Sequence, residues 1–447
     1  MSAVTFAGTS VASGPMPKVA WGRGVEVFDT DGRRYLDGSG GPAVYCLGHG
    51  NAEVNAAISA QLERIAHGYR YTFTSDPLEA LTAIVAGHCG GDLTRMVFVS
   101  GGSEAVESAL KIALQVHTAR GEPRRRRFVA RQRSWHGNTL GALSISGFAE
   151  RRAPYEGALI PASFVSPANA YRPPEGVPPD ALASWYAAEL EAELLRVGPE
   201  TVAAFVFEPV VGAAGGVVPA PPGYASAIAE VCRRYGVLVI ADEVMCGSGR
   251  CGTWRALAHD SVEPDIMTVA KGLAGGYLPL GAAVYSRAIG ADLDRVHGGP
   301  MTGHTFTGHT ACCAAGVAVQ TVVARDRLVD RVRELGPRFM SMIARETRGL
   351  DAVGDIRGRG FFVGVELVAD RATRVPFPAS DQLYLRIRRH AFERGLICYP
   401  SGGNVDGVAG DTVILSPPYI ATEAELEEIA ALFGASLRAA LAEVGAG

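Results

Sequence analysis

The stretch 266–282 reads IMTVAKGLAGGYLPLGA. An apolar, partly β-branched run ends in its one cation, Lys271, and a glycine-rich turn follows. A lysine placed this way admits two readings. It is an ordinary solvated lysine closing a strand, or it is an amine kept partly desolvated and neutral enough to attack a carbonyl. The residues on either side decide between them.

Upstream, RMVFVS (95–100) leads into a helix beginning near Ser103, and RFVARQRS (127–134), TVAAFVFEPV (201–210) and VLVIADEV (237–244) follow, with a helix over 222–235. DIMTVAK (265–271) and GAAVYS (281–286) complete the series. Strands this apolar on both faces, separated by helices, predict an α/β fold on a mostly parallel sheet covered on both sides. Before this region, GVEVFDTDGRRYLD (24–37) reads as a β-hairpin around Asp31-Gly32, and 51–67 as an amphipathic helix. A long helix is expected over about 308–346. After it come a strand pair around glycines (353–368), a helix (381–395), a strand (412–420) and a final helix (422–443). This predicts an N-terminal segment, 1–66, joining a C-terminal α+β unit, 331–447, with a large domain over 67–330 between them. The Pro-rich 167–180 reads as a loop, and no internal repeat is evident.

Bulk properties exclude several function classes. The 447 residues carry a net charge of −4, and the one basic run, Arg124 to Arg127, is a short solvated loop rather than a nucleic-acid footprint. Eight cysteines occur without a CxxC pair, and Cys312-Cys313 suits neither zinc nor a disulfide framework, so a reducing compartment is expected. His304 and His309 lie five apart in a glycine-containing turn, not at metal-ligand spacing on a helix face. The N-terminus lacks a basic start followed by an apolar core, and no apolar stretch reaches membrane-spanning length. The expectation is a cytoplasmic protein with no nucleic-acid or membrane partner.

In a parallel sheet, ligands bind beyond the carboxyl ends of the strands. SGGSEAVESALKIAL follows the first strand, where Gly101 and Gly102 admit close backbone approach and Ser103 opens a helix. Free N–H groups and the helix dipole make that an anion site, although a plain cap at Ser103 explains the residue equally well. Trp135, His136 and Gly137 end the second strand. The indole suits stacking on a flat ring, or it is core. Glu208 ends the third strand, Asp242 the fourth, and Lys271 the fifth. A buried carboxylate is costly unless something pairs with it. An anion site, a flat aromatic, a buried carboxylate and a strand-end lysine together point to pyridoxal phosphate (PLP). In that reading the lysine forms a Schiff base and the carboxylate keeps the pyridine nitrogen protonated.

At this point the sequence resembles the class III, or ω-type, aminotransferases of PLP fold type I. The resemblance covers nearly the whole chain: SGGSEAVESALKIAL, SWHGNTLGALSISG, FEPVVGAAGG, IADEVMCGSGRCG, DIMTVAKGLAGGYLPLGA, GHTFTGHTACCAAG and IRGRGFFVGVEL occur in order, with Asp242 and Lys271 separated by 29 positions. It implies a large domain with a seven-stranded, mostly parallel sheet and a smaller α+β domain. It also implies roles at matching positions. Lys271 would be the Schiff-base lysine and proton shuttle, and Asp242 the partner of the pyridinium nitrogen. Val244 and Trp135 would pack on opposite ring faces, with His136 and Gly137 beside them. Gly102 and Ser103 would bind the phosphate, Thr305 would reach the phosphate of a partner subunit, and Glu208 would line the pocket near the cofactor. Shared sites imply a homodimer, alone or paired into a tetramer.

One departure stands out. Many relatives place an arginine before the PP strand to take a substrate carboxylate, but here no arginine lies between Arg394 and Arg438, and Asp406 and Gly407 stand where one is sought. Carboxylate capture must come from elsewhere, or the substrate is an uncharged amine. Tyr45, Tyr71, Trp135 and Glu208 are the expected substrate-pocket residues, and Arg70 is an alternative carboxylate partner or a structural ion pair. TGHT replaces the commoner GHP, with Thr310 still able to start a helix. The expected activity is transfer of an amino group from an amine or ω-amino acid to a keto acid such as pyruvate, by a ping-pong mechanism. An aminomutase, a racemase or a decarboxylase would use the same cofactor residues, and a non-catalytic PLP-binding protein is the remote alternative.

Overall fold

The computed structural model describes residues 16–446, so the reading of the extreme N-terminus as free of a leader lies outside the described residues. The hairpin expected at 24–37 forms within three antiparallel strands, β1 (Val19–Arg23), β2 (Glu26–Asp29) and β3 (Arg34–Asp37). Its turn is closed by Asp29 Oδ1, which accepts from the backbone N–H of Asp31 (3.0 Å) and Arg33 (2.9 Å).

The central sheet follows: β4 (Leu93–Val99), β5 (Arg127–Arg131), β6 (Ala162–Val165) and β7 (Val202–Phe207). A two-residue ribbon, β8 (Val210–Val211) with β9 (Val218–Pro219), hangs below β7. β10 (Leu238–Asp242), β11 (Ile266–Val269) and β12 (Gly281–Ser286) complete it. The seven strands stand in the order β4-β12-β11-β10-β7-β5-β6, and only β12 runs against the others. Every residue of β7, β10 and β11 is buried, as strands covered on both faces require. One apolar layer holds Phe205, Phe207, Val239 and Met267, and the other holds Val206, Ile240 and Ile266. Alternation along each strand sends successive side chains to opposite layers.

Past the sheet, the helix expected over 308–346 is two helices, Thr310–Arg325 and Leu328–Glu346. Arg327 breaks it in the left-handed region at φ 52°, a turn made without glycine or proline and so without a breaker to read in the sequence. The C-terminal part carries β13 (Val353–Arg359), β14 (Phe362–Leu367), β15 (Leu396–Ile397), β16 (Tyr399–Gly402) and β17 (Asp411–Leu415). β17 stops at Leu415, short of the strand expected to 420, because Pro417 and Pro418 cannot donate to a ladder. β13-β14-β17-β16 make one sheet, whereas β15 pairs in parallel with β3 and so ties the N-terminal hairpin to the C-terminal residues. Among the described residues no helix is long and apolar enough to cross a membrane. All eight cysteines are free thiols.

Candidate active site

The carboxyl ends of β4, β5, β7, β10 and β11 open on one cavity of about 370 Å³. Gly102, Ser103, Trp135, His136, Gly137, Glu208, Asp242, Val244 and Lys271 all line it. Five separate stretches of sequence thus meet where strand-end placement predicts a ligand site. Helix Gly102–Ala119 begins here, and its first turn presents unsatisfied backbone N–H groups and the positive end of its dipole. The glycines are sterically required. A Cβ on Gly102 would stand 2.8 Å from Val244 Cγ1, and one on Gly137 (φ 143°) would stand 2.7 Å from Ser103 Oγ. The Ser103 hydroxyl accepts from the Asn138 N–H at 2.9 Å and keeps its own proton to donate.

Asp242 is buried at the end of β10. Its Oδ1 accepts from Val244 N–H (3.0 Å) and from the Thr268 hydroxyl (3.1 Å), and its Oδ2 lies 2.8 Å from His136 Nδ1. Thr268 is in place because Asp242 and Thr268 are register partners on β10 and β11. A carboxylate has room for about four acceptor contacts. Three are used inside the protein, and Asp242 faces the cavity with the remaining one. Its acceptor oxygen fixes the His136 proton on Nδ1, leaving His136 Nε2 buried and without a partner among the described residues. Glu208 is also buried, its Oε1 accepting from Trp135 N–H (2.9 Å) and its Oε2 from Gly212 N–H (2.8 Å). Burial pushes its pKa up.

Lys271 follows β11 in the left-handed region, at φ 47°. A non-glycine residue held there is strained and must be over-determined by its surroundings. Gln320 supplies that restraint: its Nε2 donates to the carbonyls of Gly272 (3.1 Å) and Leu273 (3.0 Å), and its Oε1 accepts from Trp254 Nε1 (3.0 Å). Burial pushes the Lys271 ammonium down to about 8, against the pull of the Asp242 and Glu208 carboxylates. The desolvated reading of this lysine is therefore the one the surroundings produce.

The aminotransferase class-III family model matches residues 10–437. The chain belongs to the class-III aminotransferases. It is 40% identical over 415 residues to an uncharacterized aminotransferase of Schizosaccharomyces pombe, covering 92% of this chain and 90% of that one. Among solved structures it resembles an (S)-enantioselective ω-transaminase from Thermomicrobium roseum, with 34% identity, a TM-score of 0.90, and 96% and 94% of the two chains covered. A PLP-bound amine transaminase from an uncultivated Pseudomonas species superposes with a TM-score of 0.89 at 33% identity, over 99% of this chain and 98% of that one. The fold is that of the fold type I PLP-dependent transaminases, and the enzyme acts on small-molecule amines and keto compounds with PLP as cofactor.

The cavity of this class-III aminotransferase fits PLP on its own chemistry. The helix start with its two clearance glycines makes a cradle for a phosphate. The free acceptor of Asp242 meets a protonated ring nitrogen, and the half-buried Trp135 offers a flat face. Lys271 supplies an amine whose pKa burial brings down to about 8, so that about half of it is neutral at that pH.

Four expected residues do not line this chain's cavity. Tyr45 sits one residue past the lining Val44, with its ring 4.8 Å from that of His49 and packed over Gly276. Tyr71 is 73% exposed and does not wall the cavity of the single chain. Arg70 lies over the Tyr71 ring at 4.4 Å and donates to its hydroxyl, rather than reaching the cavity or pairing with a carboxylate. Thr305 is exposed in the turn before helix Thr310–Arg325. Sequence reasoning missed Thr268, Gln320 and Trp254. Thr268 is the one polar residue in the strand IMTV, which is a usable signal; Gln320 and Trp254 meet across 66 positions and carry none. Among the described residues no group of three His, Cys, Asp or Glu is placed to hold a metal ion.

Proposed function

We propose that the enzyme moves an amino group from an amine or ω-amino acid to a keto acid in two half-reactions, with Lys271 as the proton carrier. The observation that carries the reading is the depressed Lys271 amine beside the buried Asp242–His136 pair in one cavity. When bound, PLP supplies a carbonyl for the amine and an electron sink for the charge left at Cα.

In this reading Lys271 Nζ, half neutral at its pKa of about 8, would take the proton from the donor's Cα and carry it to the cofactor. Asp242 holds a proton on the ring nitrogen, its geometry set by Thr268, the Val244 N–H and His136. Gly102 and Ser103 would hold the phosphate, and Trp135 and Val244 would hold the ring. Glu208 locks the Trp135 backbone in place. The amino group stays with the enzyme between departure of the first carbonyl product and arrival of the keto acid. Exposed Thr305 is proposed to complete the phosphate site of a partner subunit, with Tyr71 turned toward that same partner in a homodimer.

Initial rates over a grid of donor and pyruvate concentrations test the two-stage scheme. Parallel double-reciprocal lines are expected, because the first product leaves before the keto acid binds. Intersecting lines would require both substrates on the enzyme together and would overturn it.

A further inference from the structure

The segment that would carry a carboxylate-binding arginine is closed off by other contacts. Arg133 grips both Glu150 oxygens (3.0 and 2.6 Å) and the Gly403 carbonyl (2.7 Å). Gly407 lies so close that a Cβ there would stand 3.0 Å from Glu150 Oε2. These contacts consume Arg133. Arg131 is buried away from the cavity lining, donating to the Glu208 carbonyl and stacked over the Phe207 and Tyr224 rings. Among the described residues, Lys271 is the only basic side chain lining the cavity apart from His136.

Next to Glu150, Arg151 is different. It is exposed, and its side chain makes no ion pair or hydrogen bond among the described residues. Its guanidinium carbon stands 5.0 Å from the ring centre of Trp135, which lines the cavity, and 5.1 Å from that of Phe148. Those two rings meet edge to face at 5.8 Å and form a corner around it. Its charge also reaches the half-buried Tyr399 phenol at the start of β16. A guanidinium held on two aromatic rings has already lost much of its rotamer freedom and keeps its fork of donors free.

We infer that Arg151 takes the substrate carboxylate beside Trp135, replacing the arginine absent between residues 394 and 438, so that the enzyme's substrates are amino and keto acids rather than uncharged amines. This rests on the aminotransferase reading above.

The test compares the PLP-loaded wild type with Arg151→Leu and Arg151→Lys. The donors are 4-aminobutyrate and butylamine, which differ by the carboxylate. For Arg151→Leu a rise in KM of about tenfold or more is expected for 4-aminobutyrate with kcat little changed, less than about twofold for butylamine, and partial recovery in Arg151→Lys. Titration calorimetry with propionate, which cannot react, is expected to show the same loss of binding. Equal losses for both donors would make Arg151 structural and overturn the inference, as would unchanged KM and unchanged propionate binding. A wild type whose cofactor band no amine or amino acid donor bleaches would instead overturn the aminotransfer reading. The propionate titration then still decides Arg151, its loss supporting the inference and its retention refuting it.

Discussion

Lys271→Ala is expected to lower transamination turnover about a thousandfold or more while the fold survives. Alanine is no worse than lysine at φ 47°, and the Gln320 bonds that hold the turn go to backbone carbonyls of Gly272 and Leu273. The substitution therefore deletes the amine and little else. Its second signature is in stability. In the apoprotein the Lys271 pKa of about 8 is below its ordinary 10.5, so between these values the unfolded chain binds the extra proton. Stability contributed by this site thus rises as pH climbs from 8 toward 10.5, and the full cost of burying the charge is present below 8. Denaturant midpoints measured across that window are expected to rise less steeply in Lys271→Ala than in the wild-type apoprotein. Wild-type turnover by the variant, or an identical pH slope, would contradict the assignment.

Asp242→Asn carries the next largest effect. The carboxylate accepts from Thr268 and Val244 and faces His136 Nδ1 at 2.8 Å. An amide offers one acceptor oxygen in place of two, so its NH₂ must face either His136 Nδ1 or the Thr268 and Val244 donors. Facing His136 forces a change of imidazole tautomer, and facing the other side breaks the Val244 N–H bond and forces the Thr268 hydroxyl to turn from donor to acceptor. The charge that would hold a protonated ring nitrogen is lost in either case. A fall in kcat/KM on the order of a hundred- to a thousandfold is expected, comparable to breaking a buried charge pair, together with weaker retention of PLP on dialysis. Unchanged kcat/KM in the fully loaded variant would mean that another group protonates the ring.

The cavity was legible in the sequence because its chemistry sits at strand ends. Buried strands of this kind are near-continuous apolar runs, and Glu208, Asp242 and Lys271 interrupt or close such runs. What supports those residues was not legible. Gln320 restrains the Lys271 turn from a helix 47 to 48 positions away, and Arg133 reaches Gly403 across 270. Neither contact leaves a local pattern, because each depends on how elements pack rather than on periodicity. The break at Arg327 was hidden for a related reason, since a left-handed residue that is not glycine shows itself only in the folded backbone. Tyr71 stands exposed on the single chain, and an aromatic segment looks the same in sequence whether its rings line a cavity or stand on the surface.

The most direct test of the central claim is an absorbance scan of the PLP-loaded enzyme mixed with single amine or amino acid donors in the absence of any keto acid. At least one donor is expected to bleach the yellow cofactor band and release one carbonyl product per active site, with addition of pyruvate restoring the band. A band that persists with every donor, while solvent deuterium enters Cα or CO₂ is released, would contradict that claim and mark the enzyme as a racemase or a decarboxylase.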